Sequence, residues 1–267
     1  MAEIDLQPSK LGTKEHWDNV YADELNNFND FGDEGEVWFG QDSVDKMVSW
    51  ALENVPPSRP SSSTSESPNS NTYTYTSHPT ILEVGTGNGT LLCALAEAGY
   101  PPNYLAGIDY SPDAIQLARA VAEQREVPDI TFDEADFLDP GVADKLPLVE
   151  GMQPSPPRER GEELEPRTTR RWDLVLDKGT YDAMALAERN EEGKHPCDVY
   201  PDRVAEILKP GGYFLITSCN FTREELLKAF VTQKTGLTRH SEIEHKTISF
   251  GGVQGNTYCS IAFQKAT

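Results

Sequence analysis

The sequence predicts an α/β fold in which a mainly parallel sheet is covered by helices on both faces. Five short apolar runs have the length of buried strands, at residues 80–84, 104–109, 130–136, 172–177 and 213–218. Helical patterns lie between most of them, and strands that alternate with helices form parallel sheets. Near the end of the chain, runs at 237–244 and 257–264 have no helical pattern between them. This pair indicates an antiparallel hairpin at the sheet edge.

Start signals mark two of the predicted helices. Ser111 stands before a proline, which is the order of a capping residue and a first helical residue. Thr222 and Glu225 have the spacing of a capping box ahead of an apolar face. Two further helices are predicted before the sheet, at 15–26 and 43–54, and the second has apolar residues at i, i+3, i+4, i+7 and i+8.

The chain is predicted to form one domain with an N-terminal addition. Residues 1–54 are interpreted as a helical cap segment packed on the domain that residues 55–267 form. Two segments of low complexity interrupt this domain, at 56–79 and 150–171. Neither contains enough apolar side chain to offset the entropy of ordering it, so both are interpreted as surface loops.

The chain is strongly acidic. Its 267 residues include 44 acidic and 23 basic side chains, for a formal net charge of -21. Residues 1–54 contribute -10 and residues 80–148 contribute -9 to this charge. The acidity argues against a nucleic-acid groove, which needs lysine and arginine, and against docking on anionic membranes. It is compatible with a basic protein partner.

The spacing of the cysteines and histidines bears on the redox state of the thiols and on metal binding. Four cysteines are far apart in sequence, and no cysteine or histidine spacing is typical of a metal site. The N-terminus has no apolar leader, and no run is long enough to span a membrane. These features predict free thiols, no metal and a cytoplasmic location.

The strongest local motif is residues 81–92 (ILEVGTGNGTLL), where an apolar strand leads into three alternating glycines and then a helix. Glycines permit a tight turn and a close approach of a ligand to the backbone. The spacing is G-x-G-x-G, whereas dinucleotide-binding folds have G-x-G-x-x-G. Glu83 at the head of the loop disfavours a phosphate and favours a cationic ligand, such as the sulfonium and amino group of S-adenosylmethionine. The alternative is a tight turn without a ligand.

Acidic residues follow the next two predicted strands. Asp109 comes 20 positions after Gly89, where an acid accepts hydrogen bonds from ribose hydroxyls in nucleotide-binding folds. After the third strand, the Asp136 carboxylate can accept from an adenine amino group and the Phe137 ring can stack on the base. The structural alternatives are a helix cap for Asp109 and a solvated turn beside a core ring for the pair. Because these residues end successive strands, together they predict a nucleotide cofactor site.

A second polar cluster, residues 177–182 (DKGTYD), follows the fourth strand. Asp177, Tyr181 and Asp182 are candidates to bind and orient the acceptor that takes a methyl group from such a cofactor. The alternative is that Asp182 caps a helix and Tyr181 packs in the core. Lys178 is interpreted as a surface or structural residue.

These motifs resemble the class I, seven-β-strand, S-adenosylmethionine-dependent methyltransferases. The resemblance lies in the glycine loop with its leading acid, the strand end GID at 107–109 and the turn LKPGG at 208–212. One subfamily, the protein-lysine methyltransferases of translation elongation factor 1-alpha, is similar at segments 11–18, 35–40, 107–112, 177–182, 216–220 and 249–252. The resemblance covers essentially the whole chain except the two low-complexity segments.

The resemblance implies a Rossmann-like seven-stranded, mostly parallel sheet with helices on both faces and a C-terminal antiparallel hairpin, in which residues 55–267 are the methyltransferase domain. It also implies an S-adenosylmethionine-dependent protein-lysine N-methyltransferase. This enzyme would be a monomer that acts on a basic protein, elongation factor 1-alpha, without nucleic acid or membrane. The candidate cofactor-binding residues are Glu83, Gly85, Thr86, Gly87, Gly89, Asp109, Tyr110, Asp136, Phe137 and Trp38.

The candidate acceptor residues have a limited chemical role. A carboxylate raises the pKa of a nearby lysine, so Asp177 and Asp182 are expected to capture the ammonium and hold its nitrogen in line, without acting as general bases. Trp38 and Phe39 are hypothesised to cover the site as a lid. The alternative is that these rings pack the N-terminal segment on the sheet.

Three other functions stay open from the sequence. They are a methyltransferase for a small molecule, a non-catalytic module that binds the cofactor, and a reductase with a bound dinucleotide. The absence of a helical lid domain argues against the first. The intact motif residues argue against the second, and the glycine spacing argues against the third.

Overall fold

The glycine-rich loop follows a strand in the middle of a seven-stranded sheet. A computed structural model describes residues 6–60, 76–152, 170–245, 248–250, 253–255 and 258–267. The strands of the sheet are β1 Ile81–Val84, β2 Leu105–Asp109, β3 Thr131–Glu134, β4 Trp172–Lys178, β5 Leu208–Ser218, β6 Leu237–Ile243 and β7 Cys259–Lys265. Their order across the sheet is β3-β2-β1-β4-β5-β7-β6. Strands β1 to β5 are parallel, and β7 is antiparallel to both β5 and β6, so the predicted fold class and terminal hairpin are confirmed.

Helices connect most of the strands and precede the first one. They are α1 Lys14–Phe31, α2 Gln41–Asn54, α3 Thr90–Glu97, α4 Pro112–Gln124, α5 Thr180–Ala185, α6 Tyr200–Ile207 and α7 Arg223–Phe230. The predicted capping box of α7 is confirmed, with reciprocal bonds between Thr222 and Glu225. Ser111 is the N-cap of α4, but its side chain makes no capping hydrogen bond there.

The core consists of two layers of apolar side chains, one on each face of the sheet. On β1, Leu82 and Val84 pack with one layer, which includes residues of α5, α6 and α7. Ile81 packs with the other layer, which includes residues of α2, α3 and α4. Because both faces are covered, all four residues of β1 are buried, as is usual for a central parallel strand.

The N-terminal helices pack directly on the sheet domain. Helix α1 contacts α4, and α2 contacts α3 and β6. Trp50 of α2 donates from its indole nitrogen to the Ser241 hydroxyl of β6 at 2.8 Å. These contacts bring α1 close to the end of the sheet where the glycine loop lies.

The two low-complexity segments are described only at their ends. Residues Arg59–Pro60 pair with Thr76–Ser77 as a short antiparallel ribbon. Residues 61–75 and 153–169 lie outside the described residues. The prediction that both segments are surface loops therefore falls mostly on residues that the structure does not describe. A second ribbon, Ile248–Phe250 with Val253–Gly255, lies between β6 and β7 in the chain.

The four cysteines, Cys93, Cys197, Cys219 and Cys259, are free thiols, as the sequence predicts. Within the described part of the chain, no helix has the length and apolarity needed to cross a membrane.

Candidate active site

An open cleft lies where the first four strands end at the carboxyl edge of the sheet. It encloses about 1030 Å³ of space, including its open mouth. The glycine loop after β1 lines it, together with Asp109 at the end of β2, Asp136 after β3 and Lys178 at the end of β4. Ligands of open α/β sheets bind at this edge, so the fold brings the predicted strand-end residues to a single site.

The glycine loop has a backbone shape that side chains would disturb. Gly85 and Gly87 have φ angles of 67° and 54°, in the left-handed region. A Cβ at Gly85 would come 2.0 Å from the Thr180 hydroxyl, and a Cβ at Gly87 would come 2.5 Å from the Tyr21 hydroxyl. Both glycines and Thr86 line the cleft, as predicted for the cofactor loop, whereas Gly89 stands behind them as the N-cap of α3.

Glu83 lies beneath this loop and does not line the cleft. Only 1% of its surface is exposed, and its carboxylate accepts a hydrogen bond from the Thr86 hydroxyl at 2.8 Å. Burial raises the pKa of Glu83 to about 7, although the positive charge of Lys178 acts in the opposite direction. A cationic ligand above the loop would stabilise the ionised form of this carboxyl.

Asp109 lines the cleft with a carboxylate that the loop holds in place. One carboxylate oxygen accepts from the Gly87 amide at 3.1 Å, and the other accepts from the Ser111 amide at 3.0 Å. Burial raises the pKa of Asp109 to about 6, while these backbone bonds and the Lys14 charge lower it. Because a carboxylate oxygen has two lone pairs, each oxygen retains capacity for a ligand hydroxyl.

Asp136 and Phe137 line the cleft beyond Asp109, together with Tyr110. Asp136 is exposed, and one of its oxygens accepts from the Leu138 amide at 2.8 Å, which fixes the turn after β3. The Phe137 ring is buried and meets the Tyr200 ring edge-on, with centroids 4.9 Å apart. The exposed carboxylate and the aromatic edges form a half-polar border at this end of the cleft.

Three rings from the N-terminal segment, Trp17, Tyr21 and Trp38, form an aromatic wall of the cleft. Of these residues, the sequence predicts only Trp38 as part of the site. The Trp17 ring lies 5.0 Å from the Trp38 ring and 6.1 Å from the Tyr21 ring, and all three line the cleft. Trp17 also donates from its indole nitrogen to the Leu11 carbonyl at 2.7 Å. Trp17 and Tyr21 have i, i+4 spacing on α1, and this spacing is the sequence signal for the missed residues. The Phe39 ring stacks instead on Tyr258 at 5.4 Å.

Asp177, a sequence-based candidate to bind the acceptor, does not line the cleft. It is completely buried and accepts from the Thr180 and Tyr181 amides at 2.8 and 3.0 Å and from the Tyr200 hydroxyl. Its carboxylate therefore caps α5 within the core. Burial raises the pKa of Asp177 to about 7.

Tyr181 and Asp182 also differ from the expectation that they touch the acceptor, because neither lines the cleft. The Tyr181 ring packs in the core against Phe221 and Phe230, with centroid distances of 4.8 and 5.2 Å. The buried Asp182 carboxylate accepts from the Ser218 hydroxyl at 2.6 Å and from the Cys219 and Asn220 amides at 2.9 and 3.1 Å. Asp182 thus fixes the loop after β5 to α5. Burial raises its pKa.

Lys178, interpreted from the sequence as a surface or structural residue, lines the cleft. Its ammonium donates to the Trp38 carbonyl at 3.3 Å and so connects β4 to the aromatic wall. Burial lowers the pKa of Lys178, whereas the charges of Glu83 and Asp177 raise it.

Comparisons with known proteins identify the family of this chain. Residues 76–258 match the model of a methyltransferase domain family. The protein-lysine N-methyltransferase efm4 of Schizosaccharomyces pombe is 37% identical over 97% of this chain and 95% of its own length. The EEF1A lysine methyltransferase 2 of Homo sapiens is 34% identical over 98% of this chain and 90% of its own length. The crystal structure of the cyclase SpnF has the same fold, with a TM-score of 0.59 and 13% identity over 100% of this chain and 99% of that one.

The sheet order, the cleft and the domain match define a methyltransferase that uses S-adenosylmethionine as its methyl donor. Its relatives at near full length specify the family. The chain belongs to the protein-lysine N-methyltransferases that include efm4 and EEF1A lysine methyltransferase 2. The predictions of the enzyme class and the donor are thereby confirmed.

Proposed function

We propose that this protein transfers a methyl group from S-adenosylmethionine to a lysine of translation elongation factor 1-alpha. One observation carries the choice of substrate. Relatives from Mus musculus, Homo sapiens and Danio rerio are named for lysine methylation of EEF1A, and they match 98% to 99% of this chain. The match therefore includes the N-terminal aromatic wall as well as the methyltransferase domain.

The residues of the cleft fit the donor. The loop of Gly85, Thr86 and Gly87 passes under it, and Asp109 accepts hydrogen bonds from its ribose hydroxyls. Asp136 accepts from the adenine amino group. Tyr110 and Phe137 border the base, and Trp38 borders the other end. Glu83 lies beneath the loop as a buried carboxyl whose ionised form a bound cation would stabilise, and Gly89 permits the turn into α3.

The acceptor lysine must lose a proton before it can attack the methyl carbon. With an ordinary lysine pKa of about 10.4, the neutral amine at pH 7.4 costs roughly 4 kcal/mol. The rings of Trp17 and Trp38 line the cleft with apolar surface, and desolvation of an amine against such surface lowers its pKa. The amine lone pair forms the new N–C bond as the S–C bond of the sulfonium breaks, and the proton leaves to solvent.

Acidic surface near the cleft suits a basic partner. Helix α1, which contributes Trp17 and Tyr21 to the wall, also carries the exposed carboxylates of Asp23 and Asp30. Charge of this sign accelerates the encounter with a basic protein surface. It does not assist the chemical step, because nearby carboxylates raise the pKa of the acceptor amine.

The test separates a protein acceptor from a small molecule. A eukaryotic cell extract is incubated with the protein and a donor labelled in its methyl group, and then divided by size. We expect the label in the protein fraction, in a band that antibodies against elongation factor 1-alpha remove. Label confined to the small-molecule fraction would favour the alternative of a small-molecule methyltransferase.

A further inference from the structure

Lys178 lines the cleft, whereas the adjacent Asp177 is buried in the core. Successive side chains of a strand point to opposite faces, so Asp177 enters the core and Lys178 turns to the cleft. The backbone carbonyl of Trp38 holds the ammonium at 3.3 Å. Lys178 therefore has a fixed place at the end of β4, across the glycine loop from β2 and β3.

The ammonium of Lys178 retains unused binding capacity. A lysine ammonium has three N–H donors. Among the residues that the structure describes, Lys178 makes one hydrogen bond and has no carboxylate oxygen within 4.0 Å. Burial disfavours its charge, and the more distant carboxylates of Glu83 and Asp177 only partly offset this effect. The site is therefore suited to an anionic group that supplies the missing acceptors.

The charges along the cleft match the charges of the donor. Lys178 is the one basic residue among the described residues that line it. Of the three acidic lining residues, Asp109 and Asp136 lie on the side of β2 and β3, and Glu36 lies in the N-terminal segment two positions before Trp38. The donor has a single anionic group, the carboxylate of its amino-acid end, and two cationic groups. With the nucleoside end at Asp109 and Asp136, the amino-acid end extends past the glycine loop towards β4.

We propose that Lys178 binds the carboxylate of the donor's amino-acid end and so selects ligands that carry this group. The assignment rests on the proposed placement of the donor in the cleft. It gives Lys178 a role in binding specificity and gives its bond to Trp38 the role of aiming the ammonium.

Two ligands that differ in the amino-acid end provide the test. S-adenosylhomocysteine has the carboxylate, and methylthioadenosine lacks the whole amino-acid group. Both are titrated calorimetrically into the unmodified protein and into Lys178→Met, Lys178→Arg and Lys209→Met. Lys209 is the matched control, because it is a lysine that pairs with Asp173 of β4 at 2.6 Å and does not line the cleft. Thermal melting of each variant checks that it is folded.

We expect Lys178→Met to weaken S-adenosylhomocysteine binding about 10- to 100-fold, the effect of one lost charge-assisted hydrogen bond, and to leave methylthioadenosine within about twofold. Lys178→Arg retains most of the affinity, and Lys209→Met retains all of it. If Lys178→Met does not fold, Lys178→Gln replaces it, because the amide still donates to Trp38.

Three results would overturn the proposal in different ways. Equal losses for both ligands would mean that Lys178 acts only through the Trp38 loop. Unchanged affinity for S-adenosylhomocysteine would mean that the carboxylate binds elsewhere. If the unmodified protein binds neither ligand, the placement of the donor in the cleft is itself wrong, and the role of Lys178 falls with it.

Discussion

Replacing Glu83 by glutamine should flatten the dependence of stability on pH. The carboxyl is 1% exposed, and burial raises its pKa from 4.5 to about 7 in the folded protein. Between these pH values the unfolded chain has released the proton while the folded protein retains it. The stabilisation from this group is therefore complete below about pH 4.5 and is lost as the pH rises to about 7.

The size of the effect follows from the displacement of the pKa. A rise from 4.5 to about 7 corresponds to about 3 kcal/mol of lost stability at pH 8, of which only about 1 kcal/mol is already lost at pH 5. Glutamine does not titrate, so the change in unfolding free energy between pH 5 and pH 8 should be about 2–3 kcal/mol smaller in Glu83→Gln. Asp109 and Asp177 have raised pKa values of the same sign and keep part of the slope in both proteins.

Urea unfolding at a series of pH values between 5 and 8 measures this difference. Glu53→Gln, which changes an exposed glutamate of α2, is the matched control and should follow the unmodified protein. Equal slopes for Glu83→Gln and the unmodified protein would refute the reasoning, because they would mean that the Glu83 carboxyl titrates alike in the folded and unfolded states.

Three further substitutions test the cleft and its supports. Gly87→Arg places a side chain against Tyr21 at a left-handed φ, and calorimetry should show S-adenosylhomocysteine binding that is more than about 100-fold weaker. The control is Gly193→Arg, which has a similar φ but open space around it and should bind the ligand normally. Asp109→Asn should weaken S-adenosylhomocysteine binding about 10- to 100-fold, because one of the two backbone amides that the carboxylate holds loses its acceptor. Near-normal affinity would contradict the proposed role of Asp109 in binding the ribose hydroxyls. Asp182→Ala should lower the unfolding free energy by about 3 kcal/mol and reduce turnover, while the affinity for the donor is retained. Full stability in urea would mean that the three groups that donate hydrogen bonds to this carboxylate find other partners.

Much of the fold and of the lining of the cleft could be predicted from local sequence. The glycine spacing after an apolar strand identifies Gly85 and Gly87, and Asp109 follows from its position at the next strand end. These signals succeed because the backbone requirement and the strand-end position are local properties, and parallel strands bring their carboxyl ends to the same edge.

The acceptor side could not be predicted in the same way. The sequence shows that Asp177 and Lys178 end a strand, but both register choices place a polar residue in the cleft, and only packing decides between them. The core satisfies Asp177 with two amides and the Tyr200 hydroxyl, so Lys178 faces the cleft. Trp17 and Tyr21 were missed because a helix far away in sequence brings them to the glycine loop.

Peptide mass spectrometry of purified elongation factor 1-alpha tests the central claim most directly. The factor is incubated with S-adenosylmethionine and either the unmodified protein or Gly87→Arg. We predict that the protein without substitutions adds methyl groups to a lysine side chain of the factor and that Gly87→Arg adds none. If the factor gains no methyl group in a reaction where the protein is shown to bind the donor, the proposed substrate is contradicted.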